Sequence, residues 1–154
     1  MLKDDIHFSR LCFGVKGDNP AQLTKSLSDV IGQDLGVHSV HIRKTLNQIL
    51  KTSLSGVGDG VGIFDWVSDD VTTPYLLCAK LDTPVTVPSV DDRAIDIALA
   101  VVSPERHGPR HLQRLSGITR LFRDPFLLEK LRSVSSVDAM HMILLPDSRE
   151  LLAA

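Results

Sequence analysis

The chain has 154 residues, of which 43% are hydrophobic and 23% charged, and its formal net charge is -2. These values are typical of one soluble globular domain and exclude a disordered or fibrous protein. Because acidic and basic residues nearly cancel, the composition requires no basic face, and nucleic-acid binding is not expected.

The first third of the chain predicts one strand and two helices. Residues 11–15 form a short apolar run that ends at a Lys-Gly-Asp-Asn turn. Asn19 stands before Pro20, which is the usual order at a helix start, and apolar residues recur at helical spacing as far as Gly36, a natural helix end. Ser39 is expected to cap a second helix with its own apolar stripe.

The middle of the chain contains four apolar runs that predict strands, at residues 63–67, 75–81, 85–90 and 95–102. The last run is nearly continuous in apolar residues, which suits a strand covered on both faces. Only Asp82-Thr-Pro84 joins the second run to the third, and so short a link forces an antiparallel hairpin. The sheet is therefore predicted to be mixed rather than purely parallel.

The last third of the chain predicts three helices. The first runs from about residue 109 to 123, and its apolar side carries Leu112, Leu115, Ile118 and Phe122. Asp124-Pro125 ends it and starts a second helix, and Ser136 is expected to cap a third. Helices before and after a set of strands predict a single α/β domain, residues 1–154, with a mixed central sheet and helices on both faces.

The cysteines and the apolar segments indicate where the protein is located in the cell and whether it has a disulfide or a metal site. Cys12 and Cys78 are too few and too far apart for a disulfide framework or a thiolate metal site, and each lies in an apolar run that favours a buried thiol. Residues 1–7 contain no apolar stretch of signal-peptide length, and no segment approaches the ~20 apolar residues of a membrane span. We therefore expect a cytoplasmic protein without membrane insertion, and no motif predicts a cofactor or a metal.

A glycine-rich segment, Ser55-Gly-Val-Gly-Asp-Gly-Val-Gly-Ile63, is neither a Walker loop nor a GxGxxG motif. Alone, its alternating glycines are typical of a tight connection rather than a ligand cradle. The segment resembles Ser-Thr-Gly-Ile-Gly-Asn-Gly-Ile-Ala-Ile of the enzyme IIA proteins in the bacterial phosphoenolpyruvate phosphotransferase system, of the fructose, mannitol and nitrogen-regulatory type.

Further segments resemble the same family in the same order. Leu81-Asp-Thr-Pro84 is similar to its Leu-Glu-Thr-Pro, and residues 90–96 are similar to its Ile-Asp-Asn-Gln-Pro-Val-Asp. His111-Leu-Gln-Arg-Leu-Ser116 is similar to its His-Leu-xxx-Leu-Ser, whose first histidine is the second active-site residue. The resemblance covers nearly the whole chain, and it implies a domain that receives a phosphoryl group from a histidine phosphocarrier protein.

The chain departs from this family where the family carries its chemistry. There, Pro-His-Gly follows the glycine segment and the histidine accepts the phosphoryl group, whereas this chain has Phe64-Asp65-Trp66. A family arginine before the glycines falls near Ile49 or Leu50, so that charge is absent as well. The resemblance implies that Asp65 lies within contact or one-water distance of His111, where its carboxylate should favour the imidazolium form. Trp66 beside it is either a core residue or an exposed partner anchor, and its place beside a former docking site slightly favours the anchor.

These departures act against phosphoryl relay. The relay needs a neutral imidazole nitrogen and cationic groups around the transferred oxygens, but Asp65 adds a negative charge there. Carboxylates that accept phosphoryl groups normally need a divalent metal and further acids, and the spacing of Asp59, Asp69 and Asp70 has no metal-site signature. Loss of the arginine removes transition-state stabilisation.

Three functions remain as hypotheses. The first is a non-phosphorylatable regulatory module that binds a protein partner around Asp65 and His111, with a histidine phosphocarrier protein, a kinase or a transporter as candidates. The second is an active phosphocarrier that accepts the phosphoryl group on His111, His107 or Asp65. The third is a domain that senses a small ligand in the vacated pocket. In the first hypothesis, Asp65 is either a built-in charge or a relic.

Overall fold

A computed structural model describes residues 6–52, 54–89 and 91–145, without the side chains of 55–57. The strands of this part are β1 (Arg10–Val15), β2 (Ser55–Gly58), β3 (Val61–Ser68), β4 (Tyr75–Val85) and β5 (Ile95–Pro104). Its α-helices are α1 (Pro20–Leu35), α2 (Ser39–Leu50), α3 (Pro109–Leu121), α4 (Pro125–Ser133) and α5 (Val137–Leu144). A short 3-10 helix, Glu105–His107, joins β5 to α3. No helix within these described residues is long and apolar enough to cross a membrane.

The five strands form one mixed sheet in the order β1-β4-β5-β3-β2. β1 is parallel to β4 and β3 is parallel to β5, whereas β4 is antiparallel to β5 and β2 is antiparallel to β3. The mixed sheet is therefore confirmed. β3 and β5 end on the same edge of the sheet because they run in parallel, and α3 begins just beyond that edge.

The hairpin predicted at residues 82–84 is wrong. β4 continues through these residues to Val85, which pairs with Ile95 of β5, and the register shifts between Lys80 and Val85. Pro84 has no N–H to donate, and an irregular stretch of strand tolerates such a residue. The predicted run 85–90 forms no strand of its own beyond Val85, and Val90 lies outside the described residues.

The glycine-rich segment forms a hairpin that the sequence analysis did not assign. Gly58 pairs with Val61, so only Asp59 and Gly60 make the turn between β2 and β3. Both residues have positive φ angles, of 55° and 86°, as a type I′ turn requires. Asp-Gly is a strong sequence signal for this turn, so the strand β2 was predictable.

The hairpin is attached to α4 by an arginine. Arg132 donates from Nε and Nη2 to the two carboxylate oxygens of Asp96, at 2.8 and 3.0 Å, and from Nη2 also to the carbonyl oxygen of Asp59. Lys80 Nζ donates to the carbonyl oxygen of Arg132 at 2.7 Å. Gly60 leaves the space that this arrangement needs, because a Cβ there would lie 2.5 Å from Arg132 Nη2.

Helices cover both faces of the sheet, as predicted. α1 and α2 pack against the face that carries Ala98, Ala100 and Val102 of β5, and α3 to α5 pack against the face that carries Ile97, Leu99 and Val101. This alternation along β5 follows from the period of two in a strand, and it explains the continuous apolar run. Cys12 packs on the first face and Cys78 lies in the second core, and burial raises the pKa of both thiols.

Helix boundaries follow the predicted capping residues except at α2. Asn19 accepts a hydrogen bond from the backbone of Gln22, Gly36 is left-handed, and Ser136 accepts from the backbone of Ala139. Ser39 does not cap α2, because the helix already includes it and the carbonyl oxygen of His38 accepts the first helical bonds. Residues 1–5, part of the segment searched for a signal peptide, lie outside the described residues.

One residue of the predicted apolar side of α3 faces outward. Leu112 is 68% exposed, whereas Ile118 and Phe122 are buried and Leu115 is partly buried. The side of α3 that faces the sheet begins at His111 and continues at Leu115. The polar His111 therefore takes the inward position that the sequence pattern had assigned to Leu112. This stripe turns His111 toward the sheet.

Candidate functional site

Asp65 and His111 meet between β3 and α3. Alternation along β3 places Ile63 in the core under α3, and Asp65, two residues later, has its side chain on that same face. His111 is the third residue of α3, and its Nε2 lies 3.0 Å from Asp65 Oδ2. The predicted proximity of these two residues is confirmed.

Two residues that the sequence analysis missed complete the arrangement. Ser103 Oγ lies 2.7 Å from Nδ1 of His111, and Arg114 donates from Nη1 to the same Oγ at 2.5 Å. Arg114 Nη2 lies 3.3 Å from Nδ1 of His107. Ser103 follows Val101 on the same face of β5, and Arg114 stands three residues after His111 on α3. Both positions carried a sequence signal. Ser103 is a polar residue at the end of the apolar run of β5, and Arg114 is a cationic residue one helical turn after His111 on α3.

The donors and acceptors of this cluster are all satisfied by a neutral imidazole. Arg114 can only donate, so Ser103 Oγ accepts from it and keeps its own hydrogen for Nδ1 of His111. Nε2 then carries the ring proton and donates to Asp65. If the ring were an imidazolium, Ser103 Oγ would accept one hydrogen bond from His111 Nδ1 and one from Arg114. The hydroxyl hydrogen of Ser103 would then have no acceptor among the described contacts. A neutral ring with its proton on Nε2 is therefore one assignment that satisfies these contacts, and the imidazolium form stays a prediction.

The cluster has the residue types of a Ser-His-Asp triad but not its accessibility. Ser103 is fully buried and His111 is only 8% exposed. A triad nucleophile must reach a substrate carbonyl beside an oxyanion hole, and this hydroxyl is also an acceptor for Arg114. The buried Ser103 is therefore not placed as a hydrolytic nucleophile, and Asp65, His111, Ser103 and Arg114 form a hydrogen-bond network.

The other sequence candidates lie apart from this network or at its rim. Asp59 sits in the β2–β3 turn, at the opposite end of β3 from Asp65, and pairs with Arg93 at 3.2 Å. Asp69 and Asp70 are exposed after β3. Within the residues that the structure describes, no group of three His, Cys, Asp or Glu side chains could hold a metal ion.

His107 is the titratable group at the rim. It lies half-buried in the 3-10 helix, and desolvation followed by the charges of Arg114, Arg110 and Arg106 holds its pKa below the usual value. Of the two interpretations of Trp66, the structure supports the core residue rather than the favoured exposed anchor. It lies on the other face of β3, half-buried against the core of α1 and α2. Exposed apolar side chains beside the network are instead Val67, 46% exposed, and Leu112.

Comparison with known proteins assigns the family. Residues 23–146, which are most of the chain, match the family described as phosphoenolpyruvate-dependent sugar phosphotransferase system, EIIA 2. The chain belongs to this family. The resemblance seen in the glycine segment and in residues 111–116 is thereby confirmed.

Individual relatives of this enzyme IIA family member are distant in sequence and similar in fold. A nitrogen regulatory protein of Bradyrhizobium diazoefficiens is 28% identical over 130 residues, which are 84% of this chain and 85% of the relative. The crystal structure of nitrogen regulatory protein IIA-Ntr from Neisseria meningitidis has a TM-score of 0.77 at 20% identity, over 88% of this chain and 92% of that one. The complex of mannitol enzyme IIA with phosphorylated enzyme IIB from Escherichia coli has a TM-score of 0.68 at 14% identity, over 87% and 92%. These structures show that the fold is shared.

Proposed function

We propose that this nitrogen-regulatory enzyme IIA-like protein is a regulatory module that binds a protein partner and does not relay phosphoryl groups. One observation carries the proposal: hydrogen bonds engage both ring nitrogens of His111, one to Asp65 and one to Ser103. A phosphoryl acceptor needs a nitrogen lone pair directed at the donor. In this network neither ring nitrogen directs a free lone pair outward, because Nδ1 contacts Ser103 and Nε2 contacts Asp65.

Asp65 is an equally poor acceptor. Its carboxylate already accepts a hydrogen bond from His111, and transfer to it would bring a dianionic group toward a fixed negative charge. Acceptor carboxylates depend on a divalent cation to offset this repulsion. The aspartates nearest in sequence, Asp69 and Asp70, are exposed on the loop after β3.

The surface around the network suits a docking partner. Val67 and Leu112 expose apolar side chains, and the exposed Arg106 and Arg110 supply positive charge at the rim. The mannitol enzyme IIA of Escherichia coli forms a complex with phosphorylated enzyme IIB, which supports the idea that this fold serves as a docking partner. A histidine phosphocarrier protein, a kinase or a transporter is the proposed class of partner, and a cytoplasmic location belongs to the same proposal.

Removing the charge of Asp65 should change partner affinity. In the Asp65→Asn variant, the amide oxygen can still accept from Nε2 of His111, so shape and hydrogen bonding are preserved while the charge is lost. We expect the Kd for the host's histidine phosphocarrier protein to change by about fivefold, or roughly 1 kcal/mol, at low salt. The change should shrink at high salt because ions screen exposed charges. Calorimetric titration at both salt concentrations measures it.

The matched control is Asp29→Asn, which removes one exposed charge from α1 on the opposite face of the sheet. It should leave the affinity unchanged at either salt concentration. Equal affinities for wild type and Asp65→Asn would mean that Asp65 is a relic and that this face is not the docking surface.

The alternative function is a phosphocarrier that uses His107 as its acceptor. The lowered pKa of His107 favours it, because a neutral ring is the nucleophilic form and three arginines stand near it. Transfer of the phosphoryl group from the carrier protein distinguishes the two functions.

A further inference from the structure

Three arginines surround His107 at the start of α3, and none of them has a carboxylate partner in the described part of the chain. Arg106 donates to the carbonyl oxygen of Thr72 at 2.7 Å, and Arg114 contacts Ser103 and His107. Arg110 stands one helical turn before Arg114 and is exposed. Glu105, the nearest carboxylate in sequence, forms no ion pair with them, because the ion pairs found among the described residues join other side chains.

The positive charge of this cluster is not offset by its own contacts. The acceptors of Arg106 and Arg114 are a carbonyl, a hydroxyl and an imidazole, all neutral when His107 is unprotonated. Desolvation and then the charge of Arg110 lower the pKa of Arg114, and the arginines together lower that of His107. Like charges one helical turn apart repel each other, and a bound anion would relieve this repulsion.

We propose that Arg106, Arg110 and Arg114 form a binding site for a phosphate dianion. Guanidinium groups bind phosphate oxygens through paired, charge-assisted hydrogen bonds, and Arg114 is held in place by Ser103 from below. Arg110 also lies in the first turn of α3, where the helix dipole adds to the attraction for an anion.

The phosphate site extends the proposed function. Which molecule supplies the phosphate group in the cell depends on that proposed function. A phosphate dianion reaches this surface either as free inorganic phosphate or as the phosphoryl group on a histidine of a partner protein. In the second case, a module that cannot be phosphorylated would distinguish the phosphorylated partner from the unphosphorylated one. In the hydrogen-bond network, His111 and Ser103 separate Asp65 from Arg114, so the carboxylate does not pair with this arginine.

The test follows the ring signals of His107 by NMR during a titration with inorganic phosphate at about pH 8. Sodium chloride at matched ionic strength is the reference. We expect a saturable shift with phosphate and an increase in the titration midpoint of His107, because a bound dianion stabilises the imidazolium. Arg110→Gln and Arg114→Gln should each weaken phosphate binding about tenfold, the loss expected for one charge-assisted contact. Arg120→Gln, which removes a charge from the far end of the same helix, is the control and should bind as wild type does.

A second arm distinguishes the two sources. Binding of the histidine phosphocarrier protein is measured in its phosphorylated and unphosphorylated forms, and a preference of about tenfold that Arg110→Gln abolishes assigns the partner-borne phosphoryl group. Equal binding of both forms, together with saturable phosphate binding, assigns free phosphate. Phosphate shifts that match those of chloride, in wild type and variants alike, would overturn the site. Covalent phosphorylation of the chain would contradict the proposed function without bearing on this binding measurement.

Discussion

Replacing Phe64 with alanine is expected to lower the free energy of unfolding by about 4 kcal/mol. Phe64 is fully buried in the core between the sheet and helices α1 and α2, so its removal loses apolar contacts and leaves a cavity. The central strands beside it limit how far the site can collapse. Urea denaturation followed by circular dichroism measures the loss through the change in midpoint.

The control for this variant is Val67→Ala on the same strand. Val67 is 46% exposed, so its truncation should cost less than about 1 kcal/mol. A similar small loss for Phe64→Ala would contradict the packing of β3, and with it the position of the neighbouring Asp65.

Replacing Gly60 with alanine is expected to cost about 3 kcal/mol, of which about 1–2 kcal/mol comes from the left-handed backbone. The φ angle of Gly60 is 86°, and the added Cβ would lie 2.5 Å from Arg132 Nη2 and 2.7 Å from Asp96 Oδ1. The arginine must therefore leave its paired contact with Asp96 of β5 and its hydrogen bond to the carbonyl oxygen of Asp59 in the β2–β3 hairpin. Thermal and urea denaturation give the loss.

Gly36→Ala separates the two contributions to this loss. Gly36 has a similar φ of 68°, but nothing lies within 4 Å of its added Cβ. That variant should show the backbone cost alone, about 1 kcal/mol. If both variants lose the same free energy, the contact between Arg132 and Asp96 contributes nothing to stability.

The parts of the fold that local chemistry decides could be predicted from the sequence. Asn19, Gly36 and Ser136 set helix ends because each satisfies backbone groups within a few residues of itself. The continuous apolar run of β5 predicted burial on both faces. Ser39 was misassigned, because capping depends on where the backbone first becomes helical and not on residue type alone.

The errors arose where distant segments decide the structure. Asp82-Thr-Pro84 has the composition of a turn, but pairing of Val85 with Ile95 keeps the chain extended through it. Leu112 fits a helical stripe, yet the stripe that meets the sheet begins one residue earlier, at His111. Neither choice can be made without knowing the neighbouring element.

The site was predictable in part. The family resemblance brought Asp65 and His111 together, and their 3.0 Å contact confirms that prediction. Ser103 and Arg114 were missed because their contacts exist only when the end of β5 packs under the first turns of α3. Ser103 alters the chemistry most, since it occupies the second ring nitrogen of His111, and Arg114 in turn donates to Ser103.

Phosphoryl transfer is the measurement that tests the central claim most directly. The chain is incubated with phosphoenolpyruvate, enzyme I and the histidine phosphocarrier protein, and its intact mass is recorded without exposure to acid, which hydrolyses phosphohistidine. An enzyme IIA that carries the Pro-His-Gly sequence serves as the positive control. Because both ring nitrogens of His111 are engaged in hydrogen bonds and the proposed acceptor position holds Asp65, we expect one unmodified species while the control is phosphorylated. A phosphorylated species that disappears in His111→Ala or in His107→Ala would contradict the account and identify the chain as a phosphocarrier.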